Sequence, residues 1–211
     1  MEAPLIDLNQ NIWTYQDYRG LPNDGKTYQI IGGKLFMTPA PSPLHQDVSG
    51  TLGFIIRRFV KEHSVGKVYN APVDVVFSSV NVVQPDIVFI SQKRLKIIKE
   101  EGIFGAPEWI IEITSSSSEK IDAKFKKDLY EHFGVREHWI VYPDEEKIEV
   151  YVLKEGKFKL RGTFSKNETV TVNIIENLKV NLKEIFSSHI PLVMILLCFN
   201  VHQSSYILMK I

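Results

Sequence analysis

Two carboxylates lie in segments of this chain that otherwise have the apolar composition of buried β-strands. Asp86 directly precedes the run IVFI at residues 87–90, and Glu112 lies inside the run WIIEI at residues 109–113. Removing a charged side chain from water costs several kcal/mol unless a partner compensates the charge. Two neighbouring carboxylates most often share a divalent cation. The sequence therefore favours a fold in which two strand-borne acids form a metal site.

The composition is that of a globular protein with one domain. At 211 residues the chain is long enough to bury a full core, and one domain of mixed α/β or α+β type is expected. Lys plus Arg and Asp plus Glu balance at 25 each, so the net charge neither indicates nor excludes nucleic-acid binding. The single cysteine, Cys198, excludes a disulfide framework and a cysteine-based metal site.

The two ends of the sequence bear on location. The first residues lack the basic and apolar regions of a signal peptide, which predicts a cytoplasmic protein. Residues 190–199 (IPLVMILLCF) are apolar but much fewer than the roughly 20 that a membrane span requires, so no membrane segment is predicted. We expect one domain over residues 1–186 and an apolar tail over residues 187–211. A packed extra helix and a tail from a shifted reading frame are the alternatives to a membrane segment, and a non-functional tail is favoured.

Hydrophobic periodicity and turn residues predict alternating strands and helices. Residues 28–31 and 34–37 flank Gly32-Gly33, which is typical of a β-hairpin. Apolar residues at helical spacing predict a helix over residues 44–62, and a polar, basic helix is predicted over residues 91–101. Further strands are expected at residues 67–69, 73–77, 87–90 and 109–113.

The second half of the chain continues this pattern. Ser116 and Glu119 have the spacing of a capping box and predict a helix that runs to about residue 133, where Gly134 ends it. A strand at residues 138–142 follows, then an antiparallel meander over residues 148–153, 158–164 and 169–172. A short helical turn at residues 182–186 completes the predicted domain.

The two acids could bind the metal ion that hydrolysis of a phosphodiester needs. The reaction needs a metal ion that polarises a phosphoryl oxygen, an activated water, and a charge that offsets the developing negative charge. Mg²⁺ takes one or two carboxylates with waters and substrate phosphate, so Asp86 and Glu112 suit it if their strands are adjacent. The main-chain carbonyl of Ile113, at the same strand end, is a third candidate ligand. A nearby lysine would orient the water and stabilise the transition state.

The strand itself supplies no such lysine, because Thr114 stands two residues after Glu112. On the next helix Asp122 and Lys126 are four residues apart and so lie on one face. Lys126 is expected to reach back to the strand end, with Lys124 and Lys127 as rival candidates. Phe125 and Leu129 lie on another stripe of the helix, which is expected to be buried.

These segments resemble a known family. The runs PDIVFI at residues 85–90 and GAPEWIIEITSSSSEKIDAKFKKDLYEHFGVREHWIVYPDEEKIEVYVL at residues 105–153 are similar to the Uma family of restriction-endonuclease-like proteins, within the PD-(D/E)xK nuclease superfamily. The similarity continues through PAPSPLHQ at residues 39–46 and APVDVVF at residues 71–77. It extends from YQIIGGKL at residues 28–35 to LKEIF at residues 182–186.

The resemblance implies a fold and an activity. The fold is a restriction-endonuclease-like core, a central mixed β-sheet flanked by helices, with added antiparallel strands. The activity is hydrolysis of DNA by an endonuclease that uses Mg²⁺, for which Mn²⁺ can substitute. The superfamily's acids fall on Asp86 and Glu112, and the family's helix-borne pair falls on Asp122 and Lys126. His45 and Lys124 are further candidates for contacting substrate, and cutting both strands of a duplex would favour a homodimer.

The sequence also departs from the family pattern. The family's first hairpin usually carries acids where this chain has Gln29, Gly32 and Lys34, which weakens the case for a third metal ligand from that hairpin. Tyr142, the last residue of the strand at residues 138–142, replaces a family aspartate. The alternative function is a catalytically inactive nuclease-fold protein that binds nucleic acid or a protein partner.

Overall fold

The structure, a computed structural model, describes residues 12–22, 24–38, 40–114 and 120–187. The predicted capping box at Ser116 and Glu119 lies outside these residues, as does the apolar tail beyond residue 187. No helix in the described ranges has the length and apolar character needed to cross a bilayer.

Fourteen strands and four α-helices make up the described part of the chain. The strands are β1 (Thr27–Ile31), β2 (Lys34–Thr38), β3 (Gly66–Asn70), β4 (Val75–Ser78), β5 (Asn81–Val83), β6 (Ile87–Ser91), β7 (Ile98–Lys99), β8 (Gly102–Phe104), β9 (Trp109–Ile113), β10 (Glu137–Tyr142), β11 (Lys147–Lys154), β12 (Lys157–Ser165), β13 (Thr169–Thr171) and β14 (Lys179–Asn181). The helices are α1 (Tyr15–Arg19), α2 (Pro43–Glu62), α3 (Lys120–His132) and α4 (Leu182–Phe186).

A six-stranded mixed sheet forms the centre of the fold. Its strand order is β12-β11-β10-β9-β6-β3. The pair β9 and β10 is parallel, with α3 between the two strands in the sequence, and the other neighbours are antiparallel. A second six-stranded sheet has the order β2-β1-β5-β4-β8-β7, and β13 pairs with β14 alone. The prediction of a mixed α+β fold with a central mixed sheet and added antiparallel strands is confirmed.

Both faces of the central sheet are covered, which explains why its middle strands are apolar almost throughout. On one face, Ile111 and Ile113 of β9 belong to the same core cluster as Leu52 of α2 and Phe186 of α4. On the other face, Ile110 of β9 joins a cluster with residues of α3 and of the second sheet. Successive residues of β9 therefore enter different cores.

Helix α2 agrees with the helix predicted over residues 44–62 and begins one residue earlier, at Pro43. The Ser42 hydroxyl caps the helix by accepting from the His45 N–H at 3.2 Å, and Pro43 occupies the first turn. Val48, Leu52 and Ile56 are buried on the face toward the central sheet. The N-terminal end of α2 thereby brings His45 to the sheet edge at which β6 begins.

Two expectations for local structure are wrong. Residues 91–101 do not form one basic helix: a 3₁₀ helix, Gln92–Ile97, leads directly into β7. The apolar residues of this segment, Leu95, Ile97 and Ile98, pack against the core shared by the two sheets, and β7 pairs with the short strand β8. The meander also ends at β12, because β13 pairs with β14 rather than with β12.

The packing of α2 predicts a large stability difference between two of its neighbouring residues. Leu52 is fully buried, whereas Phe54 is 63% exposed. Leu52→Ala should lower the free energy of unfolding by about 2–5 kcal/mol, because it leaves a cavity between α2 and the sheet. Phe54→Ala should cost less than about 1 kcal/mol. Urea unfolding measures both, and similar losses for the two variants would contradict the packing.

Candidate active site

The two acids predicted from the sequence lie next to each other in the central sheet. β6 and β9 are antiparallel, with Ile87 opposite Ile111 and Val88 opposite Ile110. The same register, continued by one residue, places Asp86 opposite Glu112 at the end of the pair. Because side chains alternate across a strand, Glu112 shares a sheet face with Ile110, the face that α3 covers.

Asp86 is held from two sides. Its Oδ2 accepts a hydrogen bond from the Ile113 main-chain N–H at 2.7 Å. Its Oδ1 lies 3.2 Å from Nε2 of His45, at the start of α2. The Asp86 carboxylate is therefore fixed between β9 and α2, and His45 contacts a predicted metal ligand.

Glu112 is bound through both of its oxygens by residues of α3. Its Oε2 lies 3.2 Å from Nζ of Lys126, and its Oε1 accepts from the Tyr130 hydroxyl at 2.5 Å. The side chains of Glu112 and Lys126 are only 12% and 8% exposed. The attraction between the two charges is stronger in such a setting than in open solvent, because the local dielectric is low. This attraction offsets part of the free-energy cost of burying both charges.

The inward face of α3 differs from the predicted one. Lys126, Leu129 and Tyr130 are buried, with the spacing i, i+3 and i+4 of one helical face. Phe125, which was expected to be buried, is 51% exposed. Burying a lysine is feasible here because the Glu112 carboxylate on the facing strand compensates its charge.

The expectation that Lys126 reaches the end of the strand carrying Glu112 is met, and its rivals lie elsewhere. Lys124 is exposed, and the ammonium of Lys127 lies 3.6 Å from the centre of the Tyr151 ring. Asp122 belongs to α3, but its side chain lies outside the described residues. Its role as the partner that orients Lys126 therefore stays a prediction.

Burial and charge together disturb the ionisation of Glu112. Burial raises the pKa of its carboxyl to about 7; the positive charge of Lys126 opposes this rise, and the negative charge of Asp86 adds to it. A divalent cation between the carboxylates would offset both the burial of Glu112 and its repulsion from Asp86.

The donors present suit Mg²⁺, although they are few. Within the described ranges, no group of three or more His, Cys, Asp and Glu side chains is arranged to hold a metal ion. Mg²⁺ does not require such a cage, because it keeps several waters and takes one or two carboxylates with substrate phosphates. Asp86 and Glu112 provide that pair. The carbonyl of Ile113 stays a predicted third ligand.

The hairpin of β1 and β2, which has no acidic residue, lies beside the segment that leads to Asp86. Gln29, at a position where the family often has an acid, is buried in β1, and its Oε1 accepts from the Gln84 N–H at 3.3 Å. Gln84 precedes Asp86 by two residues. The hairpin thus borders the site but contributes an amide there rather than a carboxylate.

Sequence reasoning missed one side chain of the candidate site, Tyr130. Its hydroxyl donates to Glu112 at 2.5 Å, and its side chain is fully buried. The available signal was its position four residues after Lys126, on the same stripe of α3. That signal has meaning only once Glu112 is known to face this stripe.

Comparison with known proteins identifies both the fold and the family. A crystal structure of a "putative nuclease belonging to DUF820" from Anabaena variabilis ATCC 29413 has the same fold, with a TM-score of 0.69 at 21% sequence identity, over 82% of this chain and 97% of that chain. No curated protein matches the chain. The model of the Uma2 family, described as "Putative restriction endonuclease", matches residues 15–183, which confirms the resemblance found in the sequence. Because this match spans most of the chain, the protein belongs to the Uma2 family.

Proposed function

We propose that the protein is a metal-dependent endonuclease of PD-(D/E)xK type that hydrolyses DNA phosphodiester bonds. The observation that supports this most is the buried contact between Lys126 and Glu112, beside Asp86. Two adjacent carboxylates with a desolvated ammonium are the groups that phosphodiester hydrolysis needs. Membership of the Uma2 family and the nuclease fold support the same reaction class.

Asp86 and Glu112 are the proposed ligands of Mg²⁺, with Mn²⁺ as a substitute and the Ile113 carbonyl as a third ligand. When bound, the ion supplies polarisation of a phosphoryl oxygen and offsets its negative charge. The Ile113 N–H and His45 hold the Asp86 carboxylate in place, and Lys126 and Tyr130 do the same for Glu112. The protein thereby fixes both ligands before substrate arrives.

Lys126 has two roles in this proposal. Its ammonium orients the attacking water and stabilises the negative charge that develops on the phosphate. Because the side chain is only 8% exposed, little solvent competes for that charge. Asp122 orients Lys126. His45, beside Asp86, and the exposed Lys124 are the proposed contacts to substrate.

The proposed setting is the cytoplasm, and the proposed assembly is a homodimer. A chain with one cysteine forms no disulfide within itself, which fits the reducing cytoplasm. Two copies related by a twofold axis would present one site to each strand of a DNA duplex.

The reaction itself is the first test. Purified protein should cut DNA when Mg²⁺ or Mn²⁺ is present and should stop when the metal is chelated. Glu112→Gln and Lys126→Met should each lower the cleavage rate by about 100-fold or more, because the first removes a proposed metal ligand and the second removes the ammonium that stabilises the transition state. Gel analysis of labelled DNA measures the rates.

Matched controls are Glu176→Gln and Lys159→Met, which change exposed residues outside the site. Both controls should keep the wild-type rate. Equal rates in the wild type and the two site variants would indicate a contaminating nuclease and would refute the assignment. DNA binding without any cleavage would instead identify the inactive nucleic-acid-binding alternative.

Tyr130 gives a second test, of how Glu112 is positioned. Tyr130→Phe removes only the hydroxyl that donates to Glu112, so the core packing is kept. The Mg²⁺ concentration for half-maximal cleavage should rise about 10- to 100-fold, as is typical when a partner of a metal ligand is lost.

Tyr151→Phe is the control for that test, because the Tyr151 hydroxyl also donates to a glutamate at 2.7 Å, but this glutamate, Glu149, lies two strands away from Glu112 in the central sheet. This variant should keep the wild-type metal dependence. A Tyr130→Phe variant with an unchanged Mg²⁺ requirement would show that the hydroxyl does not position a metal ligand.

A further inference from the structure

A line of polar contacts leads from the candidate site along one stripe of α2. His45 lies against Asp86, and Ser49 follows His45 after one helical turn. The Asn70 side chain donates to both the carbonyl oxygen and the hydroxyl of Ser49 at 3.3 Å. Its Oδ1 accepts from Nη2 of Arg57 at 2.6 Å.

Asn70 is fixed relative to the site. It is the last residue of β3, and the next residue, Ala71, donates its N–H to the carbonyl oxygen of Asp86 at 2.9 Å. Its side chain lies directly on Gly53 of α2, where a Cβ atom would stand 2.5 Å from the Asn70 amide nitrogen. Only a glycine at position 53 leaves room for the Asn70 side chain in this position.

Arg57 is therefore held in position without being neutralised. Its side chain is exposed, and none of the described carboxylates lies within ion-pair distance of it. The neutral amide of Asn70 uses one of the five guanidinium N–H donors and leaves the full positive charge available. A guanidinium in this state is suited to a phosphate, which it binds with paired hydrogen bonds.

We propose that the Arg57 guanidinium, positioned by Asn70, binds a DNA backbone phosphate flanking the bond to be cut. This inference rests on the proposed function and adds a binding residue to it. Arg57 contacts the substrate itself, whereas Asn70 acts through Arg57 as a positioning residue. The contact carries no sequence information, because every nucleotide presents the same phosphate.

The test is the salt dependence of DNA binding, measured by fluorescence anisotropy with two labelled duplexes of unrelated sequence. EDTA in the buffer prevents the proposed metal-dependent cleavage. Between about 50 and 200 mM NaCl, Arg57→Gln should reduce the slope of log K against log salt by about 1. It should also weaken binding of both duplexes by the same factor.

The matched control is Arg136→Gln. Arg136 is also exposed, but it precedes β10, and its N–H bonds to Glu108 at the opposite end of the central sheet. This variant should keep the wild-type slope. Asn70→Ala should weaken binding in the wild-type background and have no further effect in the Arg57→Gln background.

The outcomes separate this inference from the proposed function. If the wild type binds and cuts DNA but Arg57→Gln keeps its slope and affinity, the phosphate contact is wrong and the nuclease assignment stands. If Asn70→Ala weakens binding equally in both backgrounds, Asn70 does not act through Arg57. If the wild type neither binds nor cuts DNA, the proposed function is wrong, and this inference with it.

Discussion

The buried ion pair between Lys126 and Glu112 is the interaction on which the candidate site depends. Each charge alone would be costly in a setting that is about nine-tenths shielded from water. Removing one partner of such a pair typically destabilises a protein by about 3–5 kcal/mol, because the other charge stays buried and uncompensated. The pair therefore fixes which face of α3 meets the sheet, and it brings Tyr130 to the second oxygen of Glu112.

Two helices contact the same end of the β6–β9 pair. Helix α2 reaches Asp86 through His45, and α3 reaches Glu112 through Lys126. Each carboxylate is held by a different helix, and Asp86 is also held by the Ile113 N–H on the strand that carries Glu112. An arrangement of this kind can accept a cation between the two groups without rebuilding the sheet, because both acids are already oriented by hydrogen bonds and ion pairs.

Much of this arrangement could be predicted from the sequence, because the acids interrupt apolar strands and Lys126 lies on the helix that follows. The face of α3 that is buried could not be predicted in this way. Its sequence offers two stripes, one through Phe125 and one through Lys126, and periodicity alone favours burial of the aromatic residue. The structure buries Lys126 because Glu112 compensates its charge, a fact of tertiary structure that no local pattern contains. The 3₁₀ helix at Gln92–Ile97 was missed for a similar reason, since pairing of β7 with β8 ends the helical segment.

We propose that Asp86 and Glu112 hold a divalent metal ion, and anomalous diffraction from crystals grown with Mn²⁺ tests this most directly. We expect an anomalous peak between the two carboxylates, within coordination distance of one oxygen of each. The peak should disappear in Glu112→Gln crystals grown under the same conditions. A peak elsewhere in the molecule, with no anomalous peak between Asp86 and Glu112, would show that these two acids do not hold the metal ion.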